Sequence, residues 1–68
     1  MLNTRKVRGR LAELGLTQKD VAKTLGIATS TASQKINRLR PLYLDEAEKL
    51  AMLLQLNDSE FGEYFFSQ

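Results

Sequence analysis

The chain has 68 residues, 43% of them hydrophobic and 26% charged, which suits one small folded domain and leaves too little chain for a second. It contains no cysteine and no histidine, which excludes disulfides, thiolate or imidazole metal sites and histidine acid–base catalysis, and no metal or cofactor is expected. The formal charge of +2 conceals a division, because residues 1–40 carry nine Lys and Arg against two acids, whereas residues 41–68 carry one lysine against six acids.

Two short amphipathic helices are predicted at the start of the basic half. The first begins at the candidate N-cap Asn3 and ends near Gly15, and its buried face has apolar residues at helical spacing: Val7, Leu11 and Leu14. The second begins at Thr17, which forms a capping-box pattern with Asp20, and ends at Gly26 with a positive φ. Its buried residues are Val21, Ala22 and Leu25. Gly26 is therefore a sharp hinge to the next helix.

A third helix is predicted from Ala28 or Thr29 to Leu39. Its apolar residues are few and recur at spacings of four and three: Ala32, Ile36 and Leu39. Its other faces carry mostly short polar side chains: Thr29, Ser30, Ser33, Gln34 and Asn37. The major groove of DNA admits a helix that a neighbouring helix holds firmly and whose side chains let it approach the base edges. Residues 17–39 are therefore typical of a helix-turn-helix.

Two further helices are predicted in the acidic half. The fourth follows Pro41, is expected to end at Asn57, and has this apolar stripe: Leu44, Ala47, Leu50, Ala51 and Leu54. Asp58 or Ser59 is the candidate cap of a fifth helix, with three aromatic residues on the side expected to join the core: Phe61, Tyr64 and Phe65. No alternating strand pattern stands out. The chain is therefore predicted to form one all-α domain of five helices over residues 1–68.

The central motif resembles the helix-turn-helix of the Cro and C1 repressor family (XRE-like) of phage regulators. The residues that carry this resemblance are Thr17, Gln18, Val21, Ala22, Gly26, Ile27, Ala32 and Ile36. Segments 35–37, 41–47 and 63–66 are also similar to small prophage-encoded members of the family. Ala28 departs from the pattern, since a capping Ser or Thr is usual there, and Ile36 lies one residue later than in many repressors. The resemblance implies a compact five-helix fold of the lambda-repressor type.

The resemblance also assigns roles to individual side chains. It makes the third helix the recognition helix and gives four residues base-facing positions: Thr29, Ser30, Ser33 and Gln34. Gln34 is the best candidate for specificity, because its amide can both donate and accept at an adenine edge, whereas hydroxyl groups are weakly selective. Phosphate contacts, which set affinity rather than sequence, are expected from Gln18, Lys19, Lys35, Asn37, Arg38 and Arg40.

A less specific interpretation stands beside each of these assignments. The polar residues of the third helix also fit an ordinary solvated helix face. The basic residues of the first helix fit a solvated face as well as they fit phosphate contact: Arg5, Lys6, Arg8 and Arg10. Leu53 precedes Leu54, and Phe66 follows Phe65. Because Leu54 and Phe65 are expected to point inward, Leu53 and Phe66 are predicted to point outward and to form an apolar patch suited to a dimer.

The leading hypothesis is a sequence-specific DNA-binding transcriptional regulator, a cytoplasmic repressor that occupies a pseudo-palindromic operator on double-stranded DNA as a homodimer. The alternative is a protein-interaction module of the antirepressor or co-repressor type, which keeps the scaffold and binds a partner regulator through the acidic, aromatic half. An enzyme is not expected, because no nucleophile, metal or phosphate-loop constellation is present. The longest apolar run has five residues, 50–54, so no membrane segment is expected.

Overall fold

A computed structural model describes residues 1–66, in which the chain forms five α-helices and no strand. The helices are α1 Thr4–Glu13, α2 Gln18–Leu25, α3 Thr29–Ile36, α4 Leu44–Leu53 and α5 Asp58–Phe65. The α2 helix packs against α3 and α4, while α1 packs against α5. This arrangement confirms the all-α fold with a central helix-turn-helix that the sequence predicts. None of the described helices is long and apolar enough to cross a bilayer.

Local hydrogen bonds fix where α1, α2 and α5 begin. The Asn3 Oδ1 accepts from the Lys6 N–H of α1 at 3.1 Å, and the Asp20 carboxylate of α2 accepts from the Thr17 N–H at 2.8 Å. Both starts agree with the sequence prediction. Asn57, however, caps α5 by accepting from the Glu60 N–H at 2.9 Å, and the predicted role as the end of α4 is wrong.

Four helices end in the same backbone reversal, with a residue in the left-handed region shortly after the last turn. The residues are Gly15, Gly26, Arg38 and Gln55, with φ of 70°, 70°, 64° and 57°. In each case two N–H groups donate back to carbonyls of the last turn, as Leu39 does to Gln34 at 2.8 Å. The reversal at Arg38 ends α3 at Ile36, so the predicted extension to Leu39 is wrong, and Leu39 is 75% exposed.

The core lies between the helices and takes at least one residue from each of them. Its largest fully buried side chains are Val7, Val21, Ile36, Leu50 and Leu54. The Phe65 side chain is buried as predicted, and Phe61 and Tyr64 pack against the same core while half-buried. Leu44, expected on the buried stripe, is instead 61% exposed, because it is the first residue of α4 and precedes the turns that meet the core.

Candidate nucleic-acid interface

The turn between α2 and α3 holds α3 firmly on one side. Gly26 takes φ 70° and ψ 35°, a conformation that residues with a Cβ rarely adopt. The next residue, Ile27, packs half-buried against the core, and its N–H donates to the Ala22 carbonyl at 3.0 Å. Ala32 and Ile36 of α3 are almost completely buried. One side of α3 is therefore fixed in the core, and the opposite side is left for other contacts.

The opposite side of α3 brings the four predicted base-facing residues together. Thr29 and Ser30 are exposed, whereas Ser33 and Gln34 are half-buried. Their spacing of one and four residues places all four on one face of the helix. The Asn37 side chain lies one turn further along the same face, where its Nδ2 donates to the Ser33 Oγ at 3.4 Å. The result is a continuous polar face of mostly short side chains, among which that of Gln34 is the longest.

The start of α3 has no side-chain cap. Ala28 is the N-cap residue, with φ −68° and ψ 150°, and its methyl side chain has no oxygen that could accept from an N–H of the first turn. The start of α2 differs, because the Thr17 N–H and hydroxyl both donate to the Asp20 carboxylate there.

Gln18, the first residue of α2, is half-buried and lines a cleft of about 210 Å³ together with Arg8 and Thr17. Anions are stabilised at such helix starts.

The structure places Lys35 differently from its predicted role as a phosphate contact. Only 8% of the residue is exposed, and its Nζ donates to the Glu46 Oε1 at 2.7 Å and to the Pro41 carbonyl at 3.1 Å. The same Nζ lies 4.8 Å from the centre of the Tyr43 ring. Since Lys35 follows Gln34 on the helix, it points toward α4 and away from the polar face. Its charge is already neutralised within the protein, which corrects the sequence-based assignment.

Glu46 is the acidic partner of this buried pair. Its Oε1 also accepts from the Tyr43 N–H at 3.0 Å, which caps the start of α4. Burial favours the neutral carboxyl, but the hydrogen bonds from Lys35 and Tyr43 outweigh burial, and the pKa of Glu46 lies below its ordinary value of 4.5. The carboxylate is therefore charged at neutral pH and holds Lys35 in place.

Apart from Lys35, the charged residues among the predicted phosphate contacts are exposed. Arg38 and Arg40 are exposed and directly follow α3, and Lys19 is exposed in the first turn of α2. The Arg38 Nη1 lies 2.8 Å from the Met1 sulfur, a weak acceptor that leaves the guanidinium charge unneutralised. Exposed cations therefore lie at the end of α3, next to the polar face.

The basic residues of α1 divide into two groups. Arg10 is half-buried, and its Nε donates to the Leu54 carbonyl at 2.9 Å, so it closes the end of α4. Lys6 forms an exposed ion pair with Glu63 of α5 at 3.2 Å. Arg5 and Arg8 are exposed and form no salt bridge with any residue between 1 and 66. Of the four, Arg5 and Arg8 are therefore the ones whose charge is available to a phosphate.

No sequence pattern indicates one of the contacts that anchor α3. The Thr4 Oγ1 donates to the Ile36 carbonyl at 2.6 Å and so joins the start of α1 to the last turn of α3. Thr4 lies 32 residues from Ile36, and a lone threonine near a chain start carries no signal of such a bond. The last turn of α3 is thus held by α1 on one side and by α4 through Lys35.

The predicted apolar patch does not form as expected. Phe66 is 61% exposed, but Leu53 is half-buried and packs against the core. Leu53 and Leu54 lie at the end of α4, immediately before the chain reverses at Gln55, and both turn toward the core there. Phe66 instead shares an apolar groove of about 360 Å³ with Met1 and Leu44.

These features define a helix-turn-helix DNA-binding domain. Comparison with known families confirms this class, since the helix-turn-helix family model matches residues 7–61, which is most of the chain. The chain belongs to this family, of the Cro/C1 type, as the sequence resemblance predicts. The family is a DNA-binding regulatory family and not an enzymatic one, and its members bind double-stranded DNA. No curated protein matches the chain.

Proposed function

We propose that the protein is a transcriptional repressor that occupies operator DNA in the cytoplasm of its host and blocks the polymerase. The observation that carries this proposal is the polar face of α3. Thr29, Ser30, Ser33 and Gln34 lie on one side of a helix whose opposite side is anchored in the core. A rigidly held helix with short outward side chains suits the major groove, where base edges present donors and acceptors.

Within this proposal, different residues recognise the bases and bind the phosphates. Gln34 reads one base through its amide, and the three hydroxyl-bearing residues add weaker contacts to neighbouring bases. The phosphate contacts are made by Gln18, Lys19, Asn37, Arg38 and Arg40, and we add Arg8, which lines the same cleft as Gln18. Lys35 leaves this set because its charge is paired with Glu46. Contacts to phosphates fix the position of the protein and raise affinity without selecting sequence.

The proposal includes a homodimer on a pseudo-palindromic operator. One small module makes few base contacts, whereas two recognition helices about 34 Å apart engage successive major grooves on one face of the DNA. Met1, Leu44 and Phe66 are large apolar side chains that stay exposed, and all three line the groove beside Arg38 and Arg40. A dimer formed there buries apolar surface close to the proposed DNA contacts. Phe66 therefore stays in the proposed dimer interface, and Leu53 does not.

Salt-dependent binding to random-sequence duplex DNA tests the proposal. A DNA binder loses affinity steeply as salt rises, with a slope of about −0.9 on logarithmic axes for each phosphate neutralised. Arg40→Ala is expected to flatten the slope by about 0.9, because it removes one phosphate contact. Lys49→Ala is the matched control, since it removes the same charge from an exposed position of α4 in the acidic half.

Two results would contradict the proposal. Failure of the wild-type protein to bind duplex DNA at any salt concentration would favour the interaction module that the sequence also allows. Equal flattening of the slope by Lys49→Ala and Arg40→Ala would show that affinity follows net charge rather than the contacts proposed beside α3.

A further inference from the structure

Lys35 is the one charged residue that is buried in the described part of the protein. It lies on the recognition helix, between the proposed base reader Gln34 and the core residue Ile36. Its side chain is 9% exposed, and that of its partner Glu46 is 13% exposed. Removing both charges from water is costly, and a well-packed apolar pair of similar volume often gives equal or greater stability. Stability alone therefore does not explain why a charged pair occupies this position.

Every group around the Lys35 ammonium belongs to the short segment that leads into α4 or to the first turn of that helix. These groups are the Pro41 carbonyl at 3.1 Å, the Tyr43 ring at 4.8 Å and the Glu46 carboxylate at 2.7 Å. Glu46 in turn accepts from the Tyr43 N–H at 3.0 Å. The two hydrogen bonds use two of the three donor hydrogens of the ammonium group, and the ring contact involves the same part of the chain.

The contact closes a short loop that carries both proposed arginine contacts. Arg38 and Arg40 lie between Lys35, in the last turn of the recognition helix, and Pro41, whose carbonyl Lys35 binds. The start of this loop is fixed by the reversal at Arg38, where the Leu39 N–H donates to the Gln34 carbonyl. The end of the loop is fixed by Lys35. Both arginines thus lie in a short segment whose two ends are bonded to the last turn of α3.

We propose that Lys35 is a positioning residue for DNA binding and does not itself contact DNA. Its ammonium holds residues 37–43 against α3, so that Arg38 and Arg40 stay beside the polar face and meet the phosphates that flank the bases read by Gln34. An apolar pair in place of Lys35 and Glu46 could join α3 to α4, but it could not bind the Pro41 carbonyl. The inference rests on the proposed function.

The test uses a double variant that leaves the net charge unchanged. Lys35→Met with Glu46→Gln removes one positive and one negative charge, so any change in DNA affinity has a local cause. Binding to random duplex DNA is measured against salt for this double variant in two backgrounds, the wild type and Arg38→Ala/Arg40→Ala. Circular dichroism at the assay temperature establishes that each protein is folded.

In the wild-type background, the double variant is expected to lose arginine contacts to phosphate. Every such loss flattens the salt slope by about 0.9 and weakens binding about fivefold at roughly 0.15 M salt. In the Arg38→Ala/Arg40→Ala background, the double variant is expected to change neither quantity, because the side chains that Lys35 positions are already gone. An equal loss in both backgrounds would overturn the inference, since it would mean that Lys35 touches DNA directly. No loss in either background would overturn it as well.

A second comparison keeps the inference testable if the double variant fails to fold. Glu46→Gln and Glu48→Gln each remove one negative charge from α4, but Glu48 is exposed and makes no salt bridge within residues 1–66. Glu46→Gln is expected to bind DNA more weakly than Glu48→Gln, by about fivefold for every arginine that no longer meets its phosphate. If Glu46→Gln instead binds more tightly and with a steeper slope, Lys35 is a phosphate contact that Glu46 restrains, and the inference is wrong.

Amide hydrogen exchange separates failure of this inference from failure of the proposed function. In the double variant, the Leu39 and Tyr43 amides are expected to exchange faster than in the wild type, while amides in α1 keep their rates. If the wild type binds no DNA, the proposed function fails, and the exchange result alone shows whether Lys35 holds the segment. If the wild type binds DNA and exchange at 37–43 does not change, the positioning role is wrong.

Discussion

The two helices of the helix-turn-helix have equal length but are held in the fold by different means. Both α2 and α3 have eight residues. Local residues fix both ends of α2: the Thr17 and Asp20 capping box fixes its start, and Gly26 fixes its end. The α3 helix begins after Ala28, which has no capping oxygen, and ends before Arg38, which takes a left-handed conformation that glycine adopts more easily.

What α3 lacks locally is supplied by the rest of the fold. Ala32 and Ile36 lie in the core, Thr4 binds the Ile36 carbonyl, and Lys35 is paired with Glu46. These anchors all act on the buried side of α3 or at its last turn, and none of them uses the polar face. The helix proposed to read DNA therefore depends on its neighbours for stability. The side chains of the polar face take no part in these anchors.

Truncation of Ile36, which anchors α3 in the core, should destabilise the protein most. Ile36→Ala should lower the free energy of unfolding by about 3 kcal/mol, because Ile36 is 1% exposed and the substitution leaves a cavity. Urea unfolding measures this loss, and Thr29→Ala on the exposed face should stay within about 0.5 kcal/mol of the wild type. A loss for Ile36→Ala no larger than that for Thr29→Ala would refute the core anchor.

Acid should weaken the buried ion pair between Lys35 and Glu46, which anchors α3 to α4. The pKa of Glu46 is lower in the folded protein than its ordinary value of 4.5, so the stability that this carboxylate contributes is fully present above about pH 4.5. It is lost as the pH falls below that value and the carboxylate takes up a proton. Glu46→Gln should therefore be less stable than the wild type at pH 7, and the difference should shrink toward pH 3. A difference that stays constant across this range would contradict the role of the Glu46 charge.

Removal of the cap of α2 should have a moderate effect. Asp20→Ala deletes the carboxylate that accepts from the Thr17 N–H, and loss of such a cap costs about 1 kcal/mol of stability. Glu48→Ala serves as the control, because Glu48 is exposed and its carboxylate forms no salt bridge with residues 1–66. If Asp20→Ala leaves the urea midpoint where Glu48→Ala does, α2 does not depend on its own capping box.

A capping side chain at the start of α3 should raise the stability of the protein slightly. Ala28→Ser gives α3 the cap it lacks and should raise the free energy of unfolding by about 0.5–1 kcal/mol, since Ala28 is exposed and already has an extended backbone suited to an N-cap. Thermal unfolding of the two proteins side by side measures the gain. A lower melting temperature for Ala28→Ser would show that the start of α3 is already satisfied in another way.

Several helix boundaries with a local signal could be predicted. Asn3, Thr17 with Asp20, and Gly26 each act through neighbours within four residues, and the sequence indicates all of them correctly. The start of α5 is an exception, since Asp58 or Ser59 is the expected cap and Asn57 is the observed one. The end of α3 could not be predicted, because Arg38 gives no sign that it will take a positive φ. Helical spacing that continues to Leu39 therefore indicates a longer helix than the one that forms.

The prediction for Lys35 failed for a different reason. A lysine on a helix is usually solvated, and the sequence does not show that Glu46, 11 residues later, folds back to bind Lys35. The bonds from Arg10 to the Leu54 carbonyl and from Thr4 to the Ile36 carbonyl are longer in range still. Partners that come together only through tertiary packing leave no pattern in the sequence. The face of α3 was predictable, because helical spacing alone determines which of its side chains lie together.

The proposed reading of DNA bases by α3 can be tested by measuring the base-preference profile of the protein. Duplexes selected from a random pool by the wild type, by Gln34→Ala and by Arg40→Ala are sequenced and compared. Gln34→Ala should lose about 1–3 kcal/mol of preference at one base position, whereas Arg40→Ala should keep the profile and bind all sequences more weakly. A Gln34→Ala profile identical to that of the wild type would contradict the claim.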